Sequence, residues 1–287
     1  MIIIGCSEGK DVGKRVAKRL KKPYSELIAD HFPDKESHIR FKVNLKGKKV
    51  VLVQSFYGGN EQIMEALFAA YTAKDLGAKK VILVAPYLAY MRQDKRFHSG
   101  ECVSSHVVAK LFKIFDGIIS IDPHLHRIKK LSDLFKKMKA KSITANPLMG
   151  DYIKKNFKNA VVVGPDEESY QWAKSVAKKA GTDVVVLKKK RYSSRNVKIK
   201  MNYDVEGKEV VIVDDIISTG HTIMEAAKEA KRLGAKNVHA VCVHGIFAEN
   251  AYSKLKKLGV KKIVSTNTIP NKAAEIDVSG IIAESLN

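Results

Sequence analysis

The residues with the clearest chemical potential lie in one string, VIVDDIISTGHT, at residues 211–222. Four apolar residues typical of a buried strand lead into Asp214 and Asp215, and open α/β sheets bind their ligands at the carboxyl ends of strands. The turn that follows consists of Ser218, Thr219, Gly220, His221 and Thr222. Its backbone N–H groups, its side-chain donors and the start of a helix form a cradle for an anion, and glycine lets a phosphate come close. Since carboxylates accept hydrogen bonds from ribose hydroxyls, the string predicts a site for a sugar phosphate.

The alternative interpretation is an ordinary strand, turn and helix in which aspartate and serine only cap the helix. A bare Ser-Thr-Gly turn would favour that interpretation. Four apolar strand residues, two aspartates and a hydroxyl-rich turn, in this order, form a much more specific pattern. We therefore favour the functional interpretation of residues 211–222.

The elements that would position this string occur twice in the chain, because three short strings recur at offsets of 157 to 160 residues. They are GKKVVLV and GKEVVIV at 47–53 and 207–213, IMEA at 63–66 and 223–226, and LGAK at 76–79 and 233–236. Each copy predicts a strand, a turn, a helix and a second strand, with the first helix about three residues longer. Where the second copy has its two aspartates, the first has Gln54 and Ser55. We expect two similar domains, of which only the second keeps the site.

Short β-branched runs alternate with amphipathic stretches along the whole chain, which is the pattern of a mostly parallel sheet flanked by helices. The candidate strands are 2–5, 49–55, 80–86, 117–122, 160–164, 183–187, 209–214, 238–244 and 261–265. The candidate helices are 12–20, 61–76, 103–112, 168–180, 222–233 and 249–258. The pattern predicts an α/β fold with two domains, 1–143 and 144–268.

The string at 211–222 resembles the phosphoribosyl-diphosphate loop of type I phosphoribosyltransferases and of ribose-phosphate pyrophosphokinases. A single such domain would favour a transferase, whereas two tandem copies with one degenerate loop resemble the pyrophosphokinase family. The resemblance implies two tandem type I phosphoribosyltransferase-like domains, with a tail, 269–287, that returns to the first. It also implies the reaction, in which the C1 hydroxyl of ribose 5-phosphate attacks the β-phosphorus of ATP and AMP leaves. The implied ribose 5-phosphate site contains Arg191, Asp214, Asp215, Ser218, Thr219, Gly220, His221 and Thr222.

Two further segments resemble the nucleotide site of the same family. APYLAYMRQDKR at 85–96 follows a candidate strand and is similar to the family's PYxxYxRQDR, which implies that ATP contacts Arg92 and Gln93, with Asp94 nearby. HFPDKESHIR at 31–40 is similar to the family's F-x-DGE segment. The ATP-binding residues there are Asp34, Lys35 and Glu36, with lysine in place of the family's glycine. In the family this segment reaches ATP from a neighbouring subunit, which implies a homo-oligomer with a shared ATP site.

The metal candidates also come from the resemblance. IDPHLHR at 121–127 matches a segment whose histidine is His124, and VVVGPD at 161–166 matches one whose aspartate, Asp166, holds Mg²⁺. Carboxylates are normal ligands of Mg²⁺ and histidine is not, so His124 acts either directly or through water. His126 is an alternative by local spacing.

The basic segment LKKKRYSSRNV at 187–197 is similar to a mobile catalytic loop of the family that carries Lys-x-Arg. The best match assigns Lys189 and Arg191 as the catalytic residues, and a slip of one residue would select Lys188 or Lys190. Cations on a closing loop suit phosphoryl-type transfer, because the protein mainly positions groups and neutralises developing negative charge. A basic surface hairpin is the alternative.

Composition narrows the partners. The 287 residues carry a formal charge of +22, which attracts anions such as nucleic acid, acidic membrane or phosphorylated small molecules. No basic run is interleaved with stacking aromatics and no apolar stretch approaches about 18 residues, so we expect neither a nucleic-acid nor a membrane partner. Cys6, Cys102 and Cys242 are odd in number and far apart, which fits a reducing, cytoplasmic setting.

Three rival functions remain open on the sequence. A phosphoribosyltransferase would share the sugar-phosphate loop but would not need the segments around 31–40 and 85–96. A regulatory subunit would keep the fold without catalysis, which the basic residues at 189 and 191 and the metal candidates speak against. A nucleic-acid binder is supported by charge alone.

Overall fold

The structure is a computed structural model that describes residues 1–125, 127–136, 138–167, 169–191, 197–200 and 203–287, with the backbone alone described at 188–191 and 197–200. The chain divides into two compact units, Met1–Thr144 with Val278–Asn287, and Ala145–Asp277. The segment that packs with the first unit is thus nine residues shorter than the expected tail, 269–287. Residues 269–277 stay with the second unit because the strand Ala274–Ile276 pairs with the second sheet.

Strands and helices alternate along the described residues, as the pattern of apolar runs predicts. The strands are β1 (Ile2–Gly5), β2 (Tyr24–His31), β3 (Ser37–Phe41), β4 (Lys49–Val53), β5 (Lys80–Ala85), β6 (Gly117–Ile121), β7 (Lys139–Ile143), β8 (Ala160–Gly164), β9 (Asp183–Val186), β10 (Lys188–Arg191), β11 (Val197–Lys200), β12 (Glu209–Ile217), β13 (Asn237–Gly245), β14 (Ile263–Thr266) and β15 (Ala274–Ile276). The helices are α1 (Lys10–Leu20), α2 (Asn60–Asp75), α3 (Ser104–Leu111), α4 (Leu131–Leu134), α5 (Asn146–Asn156), α6 (Tyr170–Ala180), α7 (His221–Arg232), α8 (Ala251–Lys257) and α9 (Ser279–Leu286). No helix among these residues is both long and apolar enough to cross a membrane.

The first unit is organised around one seven-stranded sheet with the order β3-β2-β1-β4-β5-β6-β7. Neighbouring strands are parallel except for the hairpin of β2 and β3. The central strands β1 and β6 are buried along their whole length, as expected for parallel strands covered by helices on both faces. The returning helix α9 packs on α1, where Arg19 Nε donates a hydrogen bond to Ser279 Oγ at 2.8 Å.

The second unit has a six-stranded, fully parallel sheet with the order β15-β14-β13-β12-β8-β9. β10 and β11 form a separate antiparallel pair in register Lys189↔Ile199 and Arg191↔Val197. The α/β fold with mostly parallel sheets flanked by helices confirms the predicted fold class.

The internal repeat is visible as equivalent turns in the two units. Gly47 N–H donates to the carbonyl of Gly77 at 2.8 Å, and Gly207 N–H donates to that of Gly234 at 3.0 Å. The helix after the first strand of the repeat is 16 residues long in α2 and 12 in α7, a difference of four residues where the sequence predicts about three.

The nine candidate strands all occur, but several elements have no counterpart among the predictions. The strands missed are β2, β3, β7, β10, β11 and β15, and the helices missed are α4, α5 and α9. β3 and β7 are edge strands, so they lack the continuous apolar run that marks a strand with neighbours on both sides. The prediction for 209–214 is too short, because β12 continues to Ile217.

Candidate active site

Asp214 and Asp215 lie inside β12 rather than at its end. The strand continues beyond them because Ile216 and Ile217 still pair with His244 and Gly245 of β13. The backbone N–H of Asp215 donates to Oδ1 of Asp214 at 3.0 Å. Burial raises the pKa of the Asp214 carboxyl well above its ordinary value, and the charges of Asp215 and Asp166 raise it further. Such a group gains free energy from a bound cation or from hydroxyl donors, since either offsets the charge it has to carry.

The loop after β8 brings a third carboxylate to the same edge of the sheet. β8 and β12 are parallel neighbours with Val163 opposite Ile212, so their carboxyl ends lie together. Asp166 follows β8, and its charge, after burial and the charge of Asp215, raises the pKa of the Asp214 carboxyl. The buried residue Ser169 orients it, because Ser169 N–H donates to Asp166 Oδ1 at 3.0 Å and Ser169 Oγ donates to the Asp166 carbonyl at 2.7 Å. The structure thus brings Asp166 together with the two aspartates of β12.

The turn between β12 and α7 has the shape expected of an anion cradle. Gly220 is buried with φ of +73°, a left-handed conformation that favours glycine, and it immediately precedes the first residue of α7. Thr219 and His221 beside it are exposed, whereas Ser218 and Thr222 are half-buried. A twelve-residue helix presents free backbone N–H groups at its N-terminus, which favours a phosphate there.

The equivalent place in the first unit is filled by protein groups. Gln54 is completely buried, and its amide Nε2 donates to Glu65 Oε2 at 2.9 Å and to Ser7 Oγ at 3.0 Å. Glu65, itself 5% exposed, accepts hydrogen bonds from the backbone N–H and the hydroxyl of Ser7, while Gln54 Oε1 accepts the N–H of Glu8. The strand end that carries aspartates in the second copy therefore carries, in the first, a glutamine whose hydrogen bonds are made within the protein.

Lys189 and Arg191 occupy alternate positions of β10 in the second unit. The segment expected to be a catalytic loop thus begins as one strand of the β10–β11 pair, opposite Ile199 and Val197. Their backbone is placed in the same unit as Asp214, Asp215 and the anion cradle.

The loop after β5, which the sequence predicts to bind ATP and which we call the nucleotide loop, is fixed by polar contacts around Gln93. Ser104 Oγ donates to the amide oxygen of Gln93 at 3.3 Å, and Gln93 Nε2 donates to Glu101 Oε2 at 3.4 Å. The same Glu101 oxygen accepts the backbone N–H groups of Phe97 at 2.8 Å and of His98 at 3.1 Å. Arg92 is exposed, so its guanidinium is accessible to a phosphate or an adenine ring, while the Gln93 amide is already engaged within the loop.

Asp94 is buried in an ion pair that the sequence did not predict. Its side chain is 2% exposed, and Oδ1 accepts a hydrogen bond from Arg127 Nη1 at 2.8 Å. Arg127 belongs to the loop after β6, in which His124 lies half-buried. The pair thus joins the predicted ATP segment to the segment of the predicted metal ligand within the first unit.

Asp34, Lys35 and Glu36 form the exposed tip of the β2–β3 hairpin. Phe32 N–H donates to the Glu36 carbonyl at 2.8 Å, and Glu36 N–H donates to Asp34 Oδ1 at 3.1 Å. Lys35 has φ of +71°, the left-handed conformation for which the family's glycine is suited. The turn therefore keeps the path that a glycine would adopt, at a cost of about 1 kcal/mol for the side chain.

The metal candidates are divided between the units, with His124 in the first and Asp166 in the second. Among the described residues, no three histidine, cysteine, aspartate or glutamate side chains are grouped as a ready ligand set. The alternative ligand, His126, lies outside the described residues. Mg²⁺ commonly takes one or two carboxylates together with substrate phosphates and water, so a sparse protein ligand set is compatible with it.

Arg127, Ser169 and Glu65 are the residues that sequence reasoning missed. Arg127 and Glu65 contact residues 33 and 58 positions away along the chain, and Ser169 contacts Asp166 within a local turn. None of the three belongs to a motif of its own. The signal in the sequence is weak: Arg127 and Ser169 follow candidate strands, and Glu65 lies in the repeated IMEA string.

Comparisons with known proteins agree along the whole length of the chain. Residues 1–115 match the N-terminal domain of ribose phosphate pyrophosphokinase, and residues 133–279 match the phosphoribosyl transferase domain. The chain is 35% identical over 290 residues to a ribose-phosphate pyrophosphokinase of Methanopyrus kandleri, covering 100% of this chain and 98% of that protein. It is 36% identical over 295 residues to one of Sulfolobus acidocaldarius, with 100% of both chains covered. A crystal structure of phosphoribosylpyrophosphate synthetase from Mycobacterium smegmatis superposes with a TM-score of 0.84 at 25% identity, covering 99% of this chain and 97% of that one.

Proposed function

The chain belongs to the ribose-phosphate pyrophosphokinase family, and we propose that it transfers the pyrophosphoryl group of ATP to the C1 hydroxyl of ribose 5-phosphate, releasing AMP. The observation that carries this function is the second unit's pair of aspartates followed by an anion cradle. Asp214 and Asp215 offer acceptors for sugar hydroxyls, and the turn before α7 offers donors for a phosphate.

Ribose 5-phosphate binds with its phosphate in the turn formed by residues 218–222. The 2- and 3-hydroxyls of the sugar donate hydrogen bonds to the carboxylates of Asp214 and Asp215. Because burial and the neighbouring carboxylates raise the pKa of Asp214, ligands that donate hydrogen bonds or bring positive charge stabilise its ionised form. This arrangement orients the C1 hydroxyl, which is the nucleophile.

ATP is held by Arg92 and Gln93 of the nucleotide loop, with Asp94 fixing that loop from inside. Lys189 and Arg191 supply positive charge to the oxygens of the transferring group, where negative charge develops in the transition state. In-line attack on the β-phosphorus breaks the bond between that phosphorus and the oxygen bridging to the α-phosphate, so AMP leaves. The proton of the C1 hydroxyl is lost to solvent or phosphate, and no side chain is required as a general base.

The residues present fit a magnesium ion. Burial, and then the charges of Asp215 and Asp166, raise the pKa of Asp214, and a hard divalent cation would stabilise its ionised form. Asp166 is the proposed carboxylate ligand in the second unit. His124 is the proposed metal ligand of the first unit, directly or through water. Bound Mg²⁺ would neutralise phosphate charge and orient the leaving group. Ser169 holds the backbone and the carboxylate of Asp166 in place for this role.

A homo-oligomer with a shared ATP site is the proposed assembly, in the cytoplasm. Its support is an exposed apolar stripe on α2, formed by Met64, Phe68 and Tyr71, which are 43%, 41% and 62% exposed. The start of α2 contacts the end of β2, next to the hairpin tip of Asp34 to Glu36, because His31 Nε2 lies 3.0 Å from Glu61 Oε1. A neighbouring subunit that covers the stripe would therefore also lie near the hairpin tip, whose side chains are exposed.

Phosphorus-31 NMR of the purified protein with ATP, ribose 5-phosphate and Mg²⁺ tests the reaction. We expect equal amounts of AMP and of a ribose carrying a diphosphate on C1. ADP would identify an ordinary kinase instead, and no turnover would favour a transferase or a regulator. Asp214→Asn should weaken ribose 5-phosphate and leave ATP affinity unchanged, whereas Asp151→Asn removes a surface ion pair with Lys179 and serves as the control.

A further inference from the structure

The ion pair of Asp94 and Arg127 combines a buried carboxylate with a guanidinium side chain that is 48% exposed. The Asp94 side chain is 2% exposed, and its Oδ1 accepts a hydrogen bond from Arg127 Nη1 at 2.8 Å. Its other oxygen, Oδ2, is buried without a partner among the described residues. A buried carboxylate is costly unless it is paired, so the position of this loop depends on Arg127.

The pair connects two loops that leave neighbouring strands of the first sheet. Asp94 lies in the loop after β5, directly beyond Arg92 and Gln93, and Arg127 lies in the loop after β6, three residues beyond His124. β5 and β6 are parallel neighbours with Ala85 opposite Ser120, so both loops begin at the same edge. The contacts of Gln93 and Glu101 described above stay within residues 93–104, whereas the Asp94–Arg127 pair crosses from one loop to the other.

Phe97 adds a second contact across the same gap. The Arg127 guanidinium carbon lies 5.7 Å from the centre of the Phe97 ring, and Lys95 Nζ lies 5.3 Å from it. A guanidinium offers a planar fork to a carboxylate and also packs on an aromatic face, whereas an ammonium does neither in the same way. Two residues of the nucleotide loop thus hold Arg127: Asp94 through an ion pair and Phe97 through its aromatic ring.

We propose that Arg127, anchored by Asp94, is a positioning residue that sets the ATP-binding loop of residues 92–97 relative to the loop of His124. This inference rests on the proposed function, since it assumes that Arg92 and Gln93 bind ATP. Arg127 acts through the loop and does not itself contact the nucleotide. Loss of either partner of the pair should therefore weaken the binding of ATP and leave the binding of ribose 5-phosphate unaffected, because the sugar phosphate binds to the second unit.

The test compares Arg127→Met, Asp94→Asn, the double variant and Arg127→Lys with the wild-type protein. The readouts are kcat, the KM for each substrate, and the dissociation constant of α,β-methylene-ATP by calorimetry, since this analogue lacks the bond that the reaction breaks. We expect Arg127→Met and Asp94→Asn each to raise the KM and the dissociation constant of the nucleotide at least tenfold, with the KM for ribose 5-phosphate within twofold of wild type. The double variant should bind the nucleotide no more weakly than Arg127→Met, because it no longer contains the buried carboxylate that Arg127→Met leaves without its cation. Arg127→Lys should restore part of the affinity by keeping the charge.

Arg15→Met is the matched control, since Arg15 Nε pairs with Asp11 Oδ2 at the same 2.8 Å but on an exposed helix face. Unchanged nucleotide affinity in both single variants would overturn the proposal, and so would additive losses in the double variant. A loss in Arg127→Met without one in Asp94→Asn would also overturn it, because Arg127 would then contact ATP directly. If Arg127→Met does not fold, the nucleotide affinities of Asp94→Asn and Arg127→Lys decide whether the pair positions the loop. A wild-type protein that binds the analogue but forms no product would refute the proposed function and leave the calorimetric test of the pair intact.

Discussion

Replacing Gly220 by alanine tests whether the turn before α7 holds the sugar phosphate. Gly220 has φ of +73° and is buried, so an alanine there must adopt a left-handed conformation. That conformation costs an L-residue about 1–2 kcal/mol. The added Cβ would lie 3.3 Å from the Cβ of Ala251 and 3.5 Å from Cδ1 of Leu255, so a neighbour would also have to move slightly.

The backbone cost of alanine at position 220 should be observed mainly as weaker binding of ribose 5-phosphate. Ser218 and Thr219 lie outside both the strand and the helix, so we expect the turn of the Gly220→Ala variant to relax when it is empty. The original conformation must then be restored when phosphate binds. A cost of about 1–2 kcal/mol corresponds to a loss of about 5- to 30-fold in affinity. We therefore expect the KM and the dissociation constant of ribose 5-phosphate to rise by this factor, with the KM for ATP unchanged.

Gly181→Ala is the matched control. Gly181 ends α6 with φ of +72°, and an added Cβ there has no atom within 4 Å. It should lower the thermal midpoint through the same backbone cost and leave the affinity for ribose 5-phosphate unchanged. Steady-state kinetics and calorimetry on both variants measure the difference. If Gly220→Ala binds ribose 5-phosphate within twofold of wild type, the conformation of this turn does not hold the phosphate.

Three further outcomes are expected. Lys189→Ala should lower the single-turnover rate on the order of 10²–10³-fold while ribose 5-phosphate affinity stays nearly intact, because charge stabilisation in the transition state is removed. Burial lowers the pKa of His239 below its ordinary 6.5, against the opposing effect of its hydrogen bond to Glu209, so the unfolded state binds more protons and the free energy of unfolding should fall as pH drops below about 6.5. His239→Phe should flatten this slope in urea titrations at pH 7.5 and 5.5. Phe68→Glu should reduce the oligomer size measured by analytical ultracentrifugation, because a charge would enter the apolar stripe of α2.

Each of these outcomes has a control. Lys188→Ala, one position earlier on β10, should retain activity, and an equal loss in both lysine variants would reassign the catalytic residue. A slope between pH 7.5 and 5.5 that survives in His239→Phe would mean that other groups cause it. Tyr170→Glu changes an aromatic residue of similar exposure, 44%, on α6 of the second unit and should leave the oligomer intact. An unchanged oligomer in Phe68→Glu would place the interface elsewhere.

The sequence alone determined the fold class, the repeat and the family. The string at 211–222 combines strand, acidic pair and turn within twelve residues, and the spacing of the repeated strings requires two copies of one unit. These features are local or periodic, so they can be read without knowing which distant residues meet. The same holds for buried parallel strands such as β4 and β6, whose apolar runs are continuous.

Tertiary structure alone decided the features that depend on contacts between distant segments. The extension of β12 to Ile217 follows from its pairing with β13, and the short tail follows from the pairing of β15 with β14. The network of Gln54, Glu65 and Ser7 joins residues up to 58 positions apart. The pair of Asp94 and Arg127 joins two loops only because β5 and β6 are neighbours in the sheet. The free energy of such contacts depends on how deeply the groups are buried and on where the partner lies in space. The order of residues along the chain does not give either quantity directly.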